Sequence, residues 1–427
     1  MKWNTLNVVW LLAVGLGVAG VVAGDTFKKH PKQFPVGPNP SAIVAADLND
    51  DGYPEILTAD IGSLADPREE RPAHDQVSFL LARGALDYEP LPQLQTGFAP
   101  YSIAVANIDA LKAPDIIVGC FHAASNRDVT LFRNLGGNLF EPRHFRIPPD
   151  RELPYNRMRD GDGAPVFCTP GITSVIVPEA PATGSRPQRP NDVNHDGYRD
   201  MVAAAWCSDV LVFLPGAPDT YFGTPKFIPA AGGPRDVKAA DFDKDGEVDL
   251  AATLYLSDQV AFWKGDGAGN FEPATHFPSR GRLPHKLQVA DVNLDGKLDV
   301  VVSHCYTDDS VVVFYGDGGF EFSVSQELML GRDREKLECE IRDIMVTDLN
   351  GDERPDIAAA CYGSGEVVVL INTSSDSAKT QTFRKEAYTF KEGRPRALCA
   401  ADFNADKKRD LAVALWETNT VALLLGQ

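Results

Sequence analysis

A nine-residue acidic pattern, Asp-x-Asn/Asp-x-Asp-Gly-x-x-Asp, recurs along this chain and constrains its fold more than any other feature. The clearest copy spans residues 241–249. The other six copies, numbered with it in chain order as loops one to seven, span 47–55, 107–115, 192–200, 291–299, 348–356 and 402–410. Successive copies begin 49 to 85 residues apart. A unit of roughly 50 residues that recurs with variable insertions is typical of a repeat architecture, in which neighbouring units share a core.

Each acidic loop lies between short apolar segments. In the fifth unit, one segment (287–290) precedes the loop, a second (299–302) starts at its last acid, and a third (311–314) is β-branched and aromatic. A Gly-containing turn and a Phe then lead to a fourth. Short strands with regular turn signals indicate an all-β fold, and four strands per unit are typical of β-propellers. We therefore predict a seven-bladed β-propeller with four-stranded antiparallel blades.

The seventh unit lacks a fourth strand, because its third predicted strand (421–425) reaches the last residues of the sequence. Residues 27–36 precede the first repeat and belong to no other unit. We therefore predict that this N-terminal segment supplies the missing strand and closes the last blade.

The first 24 residues have the pattern of a secretory signal peptide. Lys2 precedes an apolar run over residues 8–23, which ends in the small residues Ala23 and Gly24. The run is shorter than the ~20 residues that a spanning helix needs, although an uncleaved membrane anchor is the alternative. We expect residues 25–427 to form one propeller, secreted to the extracellular space, the cell surface or the periplasm. We expect this mature chain to be a monomer without a membrane span.

The loops have the chemistry of a site for a hard cation. Positions 1, 3, 5 and 9 offer side-chain oxygens, position 7 offers a backbone carbonyl, and Gly at position 6 permits a left-handed turn. Ca²⁺ takes six to eight oxygen ligands, whereas Mg²⁺ requires octahedral geometry and keeps its waters. The predicted ligands are Asp47, Asn49, Asp51 and Glu55; Asp192, Asn194, Asp196 and Asp200; Asp241, Asp243, Asp245 and Asp249; Asp291, Asn293, Asp295 and Asp299; Asp348, Asn350, Asp352 and Asp356; and Asp402, Asn404, Asp406 and Asp410.

The loops differ in quality. Loops one, three, four and five have every ligand and the Gly, so we expect Ca²⁺ in these four. Loops six and seven carry Glu353 and Lys407 in place of the Gly, and they could raise the number of sites to six. Loop two, which retains Asn107, Asp109 and Asp115, has Leu111 at a ligand position, and we predict that it is metal-free. The alternative for every loop is an Asx-type turn without an ion.

The acidity of the chain follows from these loops. The formal net charge is −19, and the six loops other than loop two contain 19 carboxylates at their ligand positions. The charge is therefore a requirement of metal binding more than a general surface property. A chain of this charge lacks the basic surface that nucleic acid binding needs.

The recurring strand–acidic loop–strand unit resembles the VCBS/FG-GAP repeat family, whose best-known members are the propeller heads of integrin α subunits. The resemblance covers about residues 27–427. It implies a seven-bladed propeller with Ca²⁺ loops on one face, between the first and second strands of the blades. The family includes adhesion receptors, lectin-like propellers and some polysaccharide lyases, so it indicates fold and metal better than function.

A second set of residues recurs at the opposite ends of the predicted strands. Aromatic residues follow the second strands, and mostly basic residues lie at the start of the first strands. We call this set the funnel face: Tyr101, Phe121, Trp206, Arg235, Tyr255, His285, Tyr306, Arg342, Tyr362, Arg396 and Trp416. Aromatic platforms with Arg donors suit sugars and carboxylates. The alternative is that the aromatic rings pack between blades and the Arg residues are solvated or paired with acids.

We therefore expect a ligand-binding or adhesion module for an extracellular protein, a carbohydrate or an acidic partner. The alternatives are a lyase-type enzyme acting on polysaccharide and a scaffold for a protein partner. The chain has no Gly-x-Ser-x-Gly and no His-Glu-x-x-His. We therefore assign no catalytic residue and favour a role without catalysis.

Seven cysteines leave at least one thiol unpaired. Their repeat positions suggest two equivalent disulfides, Cys120–Cys168 and Cys305–Cys339. The alternative is that the cysteines are small buried residues without bonds.

Overall fold

The computed structural model describes residues 18–23, 26–62, 75–109, 111, 113–122, 127–147, 158–159, 165–166, 171–178, 192–218, 221–305, 309–331, 339–375, 380–390 and 392–427. Seven antiparallel sheets of at least four strands follow one another along the chain, and we number them as blades. The strands of blade 1 are Pro40–Ala46, Glu55–Asp60, Gln76–Gly84 and Asp87–Gln95. Those of blade 2 are Phe98–Ala106, Asp115–His122, Val129–Asn134 and Phe140–Phe145. Those of blade 3 are Ile172–Ile176, Met201–Ala205, Val210–Leu214 and Lys226–Pro229.

The remaining blades repeat this layout. The strands of blade 4 are Pro234–Ala240, Asp249–Leu254, Gln259–Trp263 and Thr275–Pro278. Those of blade 5 are Pro284–Ala290, Asp299–His304, Ser310–Tyr315 and Val324–Met329. Those of blade 6 are Ile341–Thr347, Asp356–Cys361, Glu366–Asn372 and Phe383–Thr389. Blade 7 contains Pro395–Ala401, Asp410–Leu415 and Thr420–Gly426, completed from the N-terminal segment. The predicted seven-bladed propeller is thus confirmed.

The first strand of each blade lies innermost. It contacts the first strands of both neighbouring blades, and the contact between blades 7 and 1 closes the ring. Seven hydrophobic clusters fill the seven interfaces between adjacent blades. Within one strand, Val301 packs towards blade 6 whereas Val300 and Val302 pack towards blade 4. This burial on both faces explains why the strands are continuously apolar rather than alternating.

The N-terminal segment completes blade 7, as predicted. Phe27–Lys29 and Phe34–Pro35 both pair antiparallel with Thr420–Gly426, the third strand of that blade. Phe27 is buried in the interface between blades 6 and 7, and Phe34 is buried between blades 7 and 1. Residues 27–35 therefore join the last strand of the sequence in one sheet.

A few short elements add to the blades. Val18–Ala23 pairs in parallel with the outer strand of blade 6. Met158–Arg159 pairs antiparallel with Pro165–Val166, and Gly216–Ala217 pairs antiparallel with Tyr221–Phe222. A 3₁₀ turn spans Trp206–Ser208. Most of the predicted signal peptide, residues 1–24, lies outside the described residues, so it stays a prediction. None of the helices in the described part of the chain is long and apolar enough to cross a membrane.

The suggested disulfides are wrong. Cys339 is bonded to Cys361, with Cα atoms 4.6 Å apart, while Cys120 and Cys305 are buried free thiols, as is Cys399. Cys207 is also disulfide-bonded, and Cys168 lies outside the described residues. The end of a second strand lies antiparallel to the start of the first strand of its own blade, as in the pairing of Cys361 with Ile341. A bond within one blade is therefore favoured over one to the next repeat.

Candidate functional site

The seven acidic loops connect first to second strands and form one face of the ring, which we call the loop face. The last acid of each loop is fully buried, and one of its oxygens accepts a hydrogen bond of 2.7–3.0 Å from the backbone N–H of position 2. In blades 2 to 7 its other oxygen accepts from a backbone N–H at or just beyond the end of the third strand. The last acid thus fixes the loop to two strands.

The buried acids favour a cation nearby. Burial raises the pKa of Asp249 and of Asp299 to about 7, because a carboxylate removed from water loses solvation. In loop four, oxygens of Asp241, Asp243 and Asp249 lie within 4.8 Å of one another. The buried Asp241 Oδ1 has no hydrogen-bond partner among the described residues. The donor set therefore fits an oxygen-coordinated cation, although Lys264 also pairs with Asp243 and, at 2.8 Å, with Asp245.

Loop two has a different electrostatic environment. Arg133 Nε lies 2.5 Å from Asp109 Oδ2. Arg199, from loop three, donates to Asn107 Oδ1 at 2.7 Å and to the Asp109 carbonyl at 2.8 Å. Guanidinium groups therefore occupy the oxygens that a metal would need in this loop. The positive charge of these arginines can therefore offset the negative charge of loop two in place of a cation.

Two positions in each of loops one and three to seven are left-handed. The expected one is position 6, which is Gly246 (φ 94°) in loop four but Glu353 (φ 69°) and Lys407 (φ 70°) in loops six and seven. Position 4 is left-handed as well, although the recurring pattern has no fixed residue type there. Gly351 occupies position 4 of loop six, so its glycine relieves strain there rather than at position 6.

Substituting Lys407 by Gly should stabilise the protein, since a left-handed conformation costs a side chain about 1 kcal/mol and Gly avoids that cost. Greater freedom of the unfolded chain offsets part of the gain. The control is Lys408→Gly, which removes the same charge where φ is not positive and should destabilise or leave stability unchanged. Urea unfolding at fixed Ca²⁺ measures both. Equal effects of the two variants would contradict the expectation.

On the opposite face, the structure brings the predicted aromatic residues together. The ring centroids of Tyr101, Phe121, Trp206, Tyr255 and His285 form a continuous series with successive distances of 5.7, 5.9, 6.3 and 6.5 Å. This series extends from blade 2 to blade 5. Across blades 6 and 7, the rings of Tyr362 and Trp416 lie 6.4 Å apart. Tyr306 lies outside the described residues.

Two of the predicted arginines converge on one tyrosine. Arg235 and Arg396 both donate to Tyr101 Oη, Arg396 at 2.9 Å. The Arg235 guanidinium lies 4.8 Å from the Tyr101 ring centre and 5.6 Å from that of Trp206. Arg396 lies 5.6 Å from the ring centre of Trp416 as well. The aromatic platform and the basic centre therefore form one cluster.

Arg342, the other predicted arginine, takes a different role. It pairs with Glu340 and stacks over the Tyr362 ring at 5.3 Å. The contacts of Arg342 therefore match the alternative interpretation of the funnel face, in which an arginine is paired with an acid.

A recurring backbone hydrogen bond positions the funnel face. The residue before the first strand is left-handed, as at Gly233 (φ 71°) and Arg394 (φ 53°). Its carbonyl accepts from the backbone N–H that follows the second strand, as in Tyr255 to Gly233 at 2.9 Å and Trp416 to Arg394 at 3.1 Å. The bond ties Trp206, Tyr255, Tyr362 and Trp416 to the starts of their own first strands. The sequence did not predict this hydrogen bond, because the left-handed residue is a Gly in only some blades.

The centre of the funnel face is strongly positive. Burial opposes ionisation of Tyr101, but the charges of Arg235, Arg396 and Lys286 outweigh it and lower the pKa of Tyr101 to about 8. His285 is 1% exposed, and burial together with the same arginines holds its pKa well below the usual value. Neither ring nitrogen of His285 has a hydrogen-bond partner among the described residues. At neutral pH the imidazole is therefore uncharged.

Comparison with known proteins agrees with this architecture. A family model described as FG-GAP-like repeat matches residues 192–252 and 348–413. Among solved structures, the chain is similar to BBS1N in complex with ARL6DN, with 14% identity, 95% of this chain and 98% of that chain covered, and a TM-score of 0.60. It is similar to a streptogramin B lyase, with 11% identity, 94% and 98% covered, and a TM-score of 0.57. It is also similar to a protein from Lactobacillus plantarum, with 14% identity, 86% and 91% covered, and a TM-score of 0.55. At these identities the likeness is one of fold, and no curated protein sequence matches the chain.

Proposed function

Because the chain is a seven-bladed β-propeller that carries FG-GAP-like repeats, we propose that it is a secreted, Ca²⁺-stabilised module whose funnel face binds an extracellular carbohydrate or an acidic protein. One observation carries the proposal. Aromatic and basic side chains from six blades converge at the mouth of the ring, on the face opposite the acidic loops. Aromatic platforms with Arg donors suit sugars and carboxylates.

Ca²⁺ has a structural role in this proposal. Loops one, three, four and five would hold it through the side-chain oxygens of positions 1, 3, 5 and 9, and loops six and seven would hold it less well. The ion would neutralise converging carboxylates and favour the folded state. The buried Asp241 Oδ1, for which the described part of the chain offers no hydrogen-bond partner, supports this role. The arginines at loop two support a metal-free second loop. Secretion rests on the signal-peptide pattern and on the extracellular character of many FG-GAP proteins.

Binding should be lost when the aromatic platform is interrupted. We expect Trp206→Ala to abolish binding on a glycan array, because its ring joins those of Phe121 and Tyr255 and stacks with Arg235. The matched control is Tyr198→Ala, an exposed aromatic on the loop face, which should bind as the unaltered chain does. If Trp206→Ala retains binding, or both variants lose it, the funnel face is not the binding surface.

A second candidate is a polysaccharide lyase. It is favoured by the position of Tyr101 Oη between two guanidinium groups, which favour its ionised form. In β-elimination, a base removes the proton next to a uronate carboxylate, the bond from C4 to the glycosidic oxygen breaks, and a C4–C5 double bond forms. The departing sugar oxygen takes up a proton. Tyr101 would be the base and an arginine would neutralise the carboxylate, so 4,5-unsaturated products from the bound glycans would favour this candidate.

A third candidate is a scaffold for a protein partner. The solved complex of BBS1N with ARL6DN is an example of a chain of similar fold that binds a protein. A pull-down from the source's secretome, compared between the unaltered chain and Trp206→Ala, would detect such a partner. A partner retained by Trp206→Ala would bind elsewhere than on the funnel face.

A further inference from the structure

The centre of the funnel face has more positive charge than its own acids neutralise. Resting on the proposed binding role of this face, we propose that its centre binds one oxyanion, a carboxylate or a sulfate group of an acidic ligand, between Arg235 and Arg396. Three structural observations support this inference: guanidinium groups without carboxylate partners, small residues in the neighbouring blades, and buried polar nitrogens without hydrogen-bond partners among the described residues. The pKa of Tyr101 agrees with them.

The charge balance is the first observation. Within the described part of the chain, neither Arg235 nor Arg396 pairs with a carboxylate, although Arg396 is 6% exposed. Other cations of this region do have acids: Arg342 pairs with Glu340, and both Lys238 (3.4 Å) and Lys286 (3.7 Å) contact Asp236. A buried cation without a counter-charge is costly, and Arg396 is such a cation. The part-exposed Arg235 guanidinium on the same phenol oxygen adds a second positive charge. A bound anion would remove that cost.

The neighbouring blades leave room for this convergence. Arg396 belongs to blade 7 and Arg235 to blade 4, yet both reach Tyr101 of blade 2. The blades on either side of blade 2 carry Ser41 and Thr173 at the position that Arg235 and Arg396 occupy in theirs. Both hydroxyls bond to backbone carbonyls of the adjacent first strand. Because these side chains are small, they leave space for the arginines to reach Tyr101. The convergence therefore depends on the residues of the intervening blades as well as on the arginines.

Buried polar nitrogens without partners lie in the same part of the funnel face. Trp206 Nε1, Arg235 Nε and both ring nitrogens of His285 are buried and have no hydrogen-bond partner among the described residues. Buried polar groups are nearly always hydrogen-bonded. The indole and guanidinium nitrogens can only donate, so their missing partner is an acceptor. An oxyanion has several acceptor oxygens, and Arg binds carboxylate and sulfate-like groups through its planar fork.

Tyr101 does not supply the missing negative charge at neutral pH. Its pKa of about 8 leaves most of the phenol protonated at pH 7. A protonated phenol neutralises neither arginine, so the place for an external anion remains. Because carboxylate and sulfate share the same acceptor chemistry, the experiment must compare them directly.

The test is isothermal titration calorimetry of the full mature chain at pH 7 with Ca²⁺ present. The probes are methyl glucuronide, its neutral analogue methyl glucoside, and glucose 6-sulfate. We expect one or both of the charged sugars to bind at least about tenfold more tightly than the glucoside, the effect of about one charge-assisted hydrogen bond. Whichever binds better identifies a carboxylate or a sulfate ligand. If neither charged sugar binds more tightly than the glucoside, the inference is overturned.

Variants assign the effect to the two arginines. Arg235→Gln and Arg396→Gln should each weaken binding of the preferred charged sugar about tenfold or more. Arg394→Gln is the matched control, because Arg394 lies on the same face but has Glu417 at 3.9 Å, and it should bind normally. Retained affinity in both test variants overturns the inference. Melting curves verify that the variants fold. If the Arg396→Gln variant is unstable, the affinity of the Arg235→Gln variant tests the inference, because Arg235 is part-exposed.

The proposed function can survive a failure of this inference. If the array still shows glycan binding that Trp206→Ala abolishes, while charged and neutral sugars bind equally, the funnel face binds glycans without an anion site. If the charged sugars bind as expected but no array glycan does, the anion site belongs to an acidic protein or another ligand. If neither experiment shows binding, both proposals fail.

Discussion

A chain that begins at residue 38 should lose most of its stability compared with one that begins at residue 25. The missing segment supplies the outer pairing of blade 7, and it buries Phe27 (3% exposed) and Phe34 (1% exposed) in two blade interfaces. Loss of a buried Phe side chain costs about 3–5 kcal/mol, so the two together cost on the order of 6–10 kcal/mol. A whole domain is stable by only ~5–15 kcal/mol.

The loss should also be cooperative, because the segment connects blades rather than covering one. Thr26 bonds to Glu386 and the Phe27 N–H donates to Tyr388 Oη, both in blade 6. Phe34 contacts the Tyr88 ring of blade 1 at 5.0 Å. Removing the segment therefore opens the ring on both sides of blade 7, and the remaining blades lose their closed arrangement.

Calorimetry of the two chains at equal Ca²⁺ tests this expectation. Phe34→Ala should give an intermediate loss of about 3–5 kcal/mol. Lys28→Ala, an exposed position in the same segment, should change stability by less than about 0.5 kcal/mol. If the chain that begins at residue 38 melts at the same temperature as the longer chain, the N-terminal strands are not the closure of the ring.

The fold could be predicted from the sequence because every repeat contains the same signals for its strands and its loop. The last acid of the loop predicts where the second strand begins, and the strand does begin at Asp299 and at Asp356. The physical reason is that this acid bonds to two strands at once. By contrast, the left-handed residues before the first strands include Leu283, Glu340 and Arg394, which carry no local signal. A tertiary hydrogen bond imposes their conformation.

The candidate site was predictable in position but not in contacts. The repeat places Arg235 and Arg396 at equivalent positions, so the sequence predicts that both lie on the funnel face. It does not predict that both reach Tyr101, since this depends on side-chain directions and on the small Ser41 and Thr173 of the intervening blades. The predicted disulfide pairing was wrong for a related reason. Repeat spacing predicted equivalent pairs of cysteines, whereas the bond that forms depends on which strands are adjacent within blade 6.

Removal of Ca²⁺ is the second change with a large expected effect. Chelation should lower the melting temperature strongly, because the carboxylates of the loops then repel one another without a counter-charge. An ion that binds only the folded state stabilises it by about 2.7 kcal/mol at a hundredfold excess over its Kd. Four sites would therefore contribute on the order of 10 kcal/mol. Restored Ca²⁺ should reverse the loss, and Mg²⁺ should not, since it prefers octahedral geometry and keeps its waters.

Variants in single loops connect this effect to the proposed sites. Asp295→Ala removes a ligand from loop five and should lower the Ca²⁺ stoichiometry by one. The stoichiometry is measured by calorimetric titration of Ca²⁺ into the refolded chain from which a chelator has removed the metal. Asp109→Ala is the matched control in loop two, where Arg133 and Arg199 supply positive charge, and it should leave the stoichiometry unchanged. The unaltered chain should bind four to six ions. A melting temperature indifferent to chelation would mean that the loops are held by their own hydrogen bonds and that the acidity of the chain has another cause.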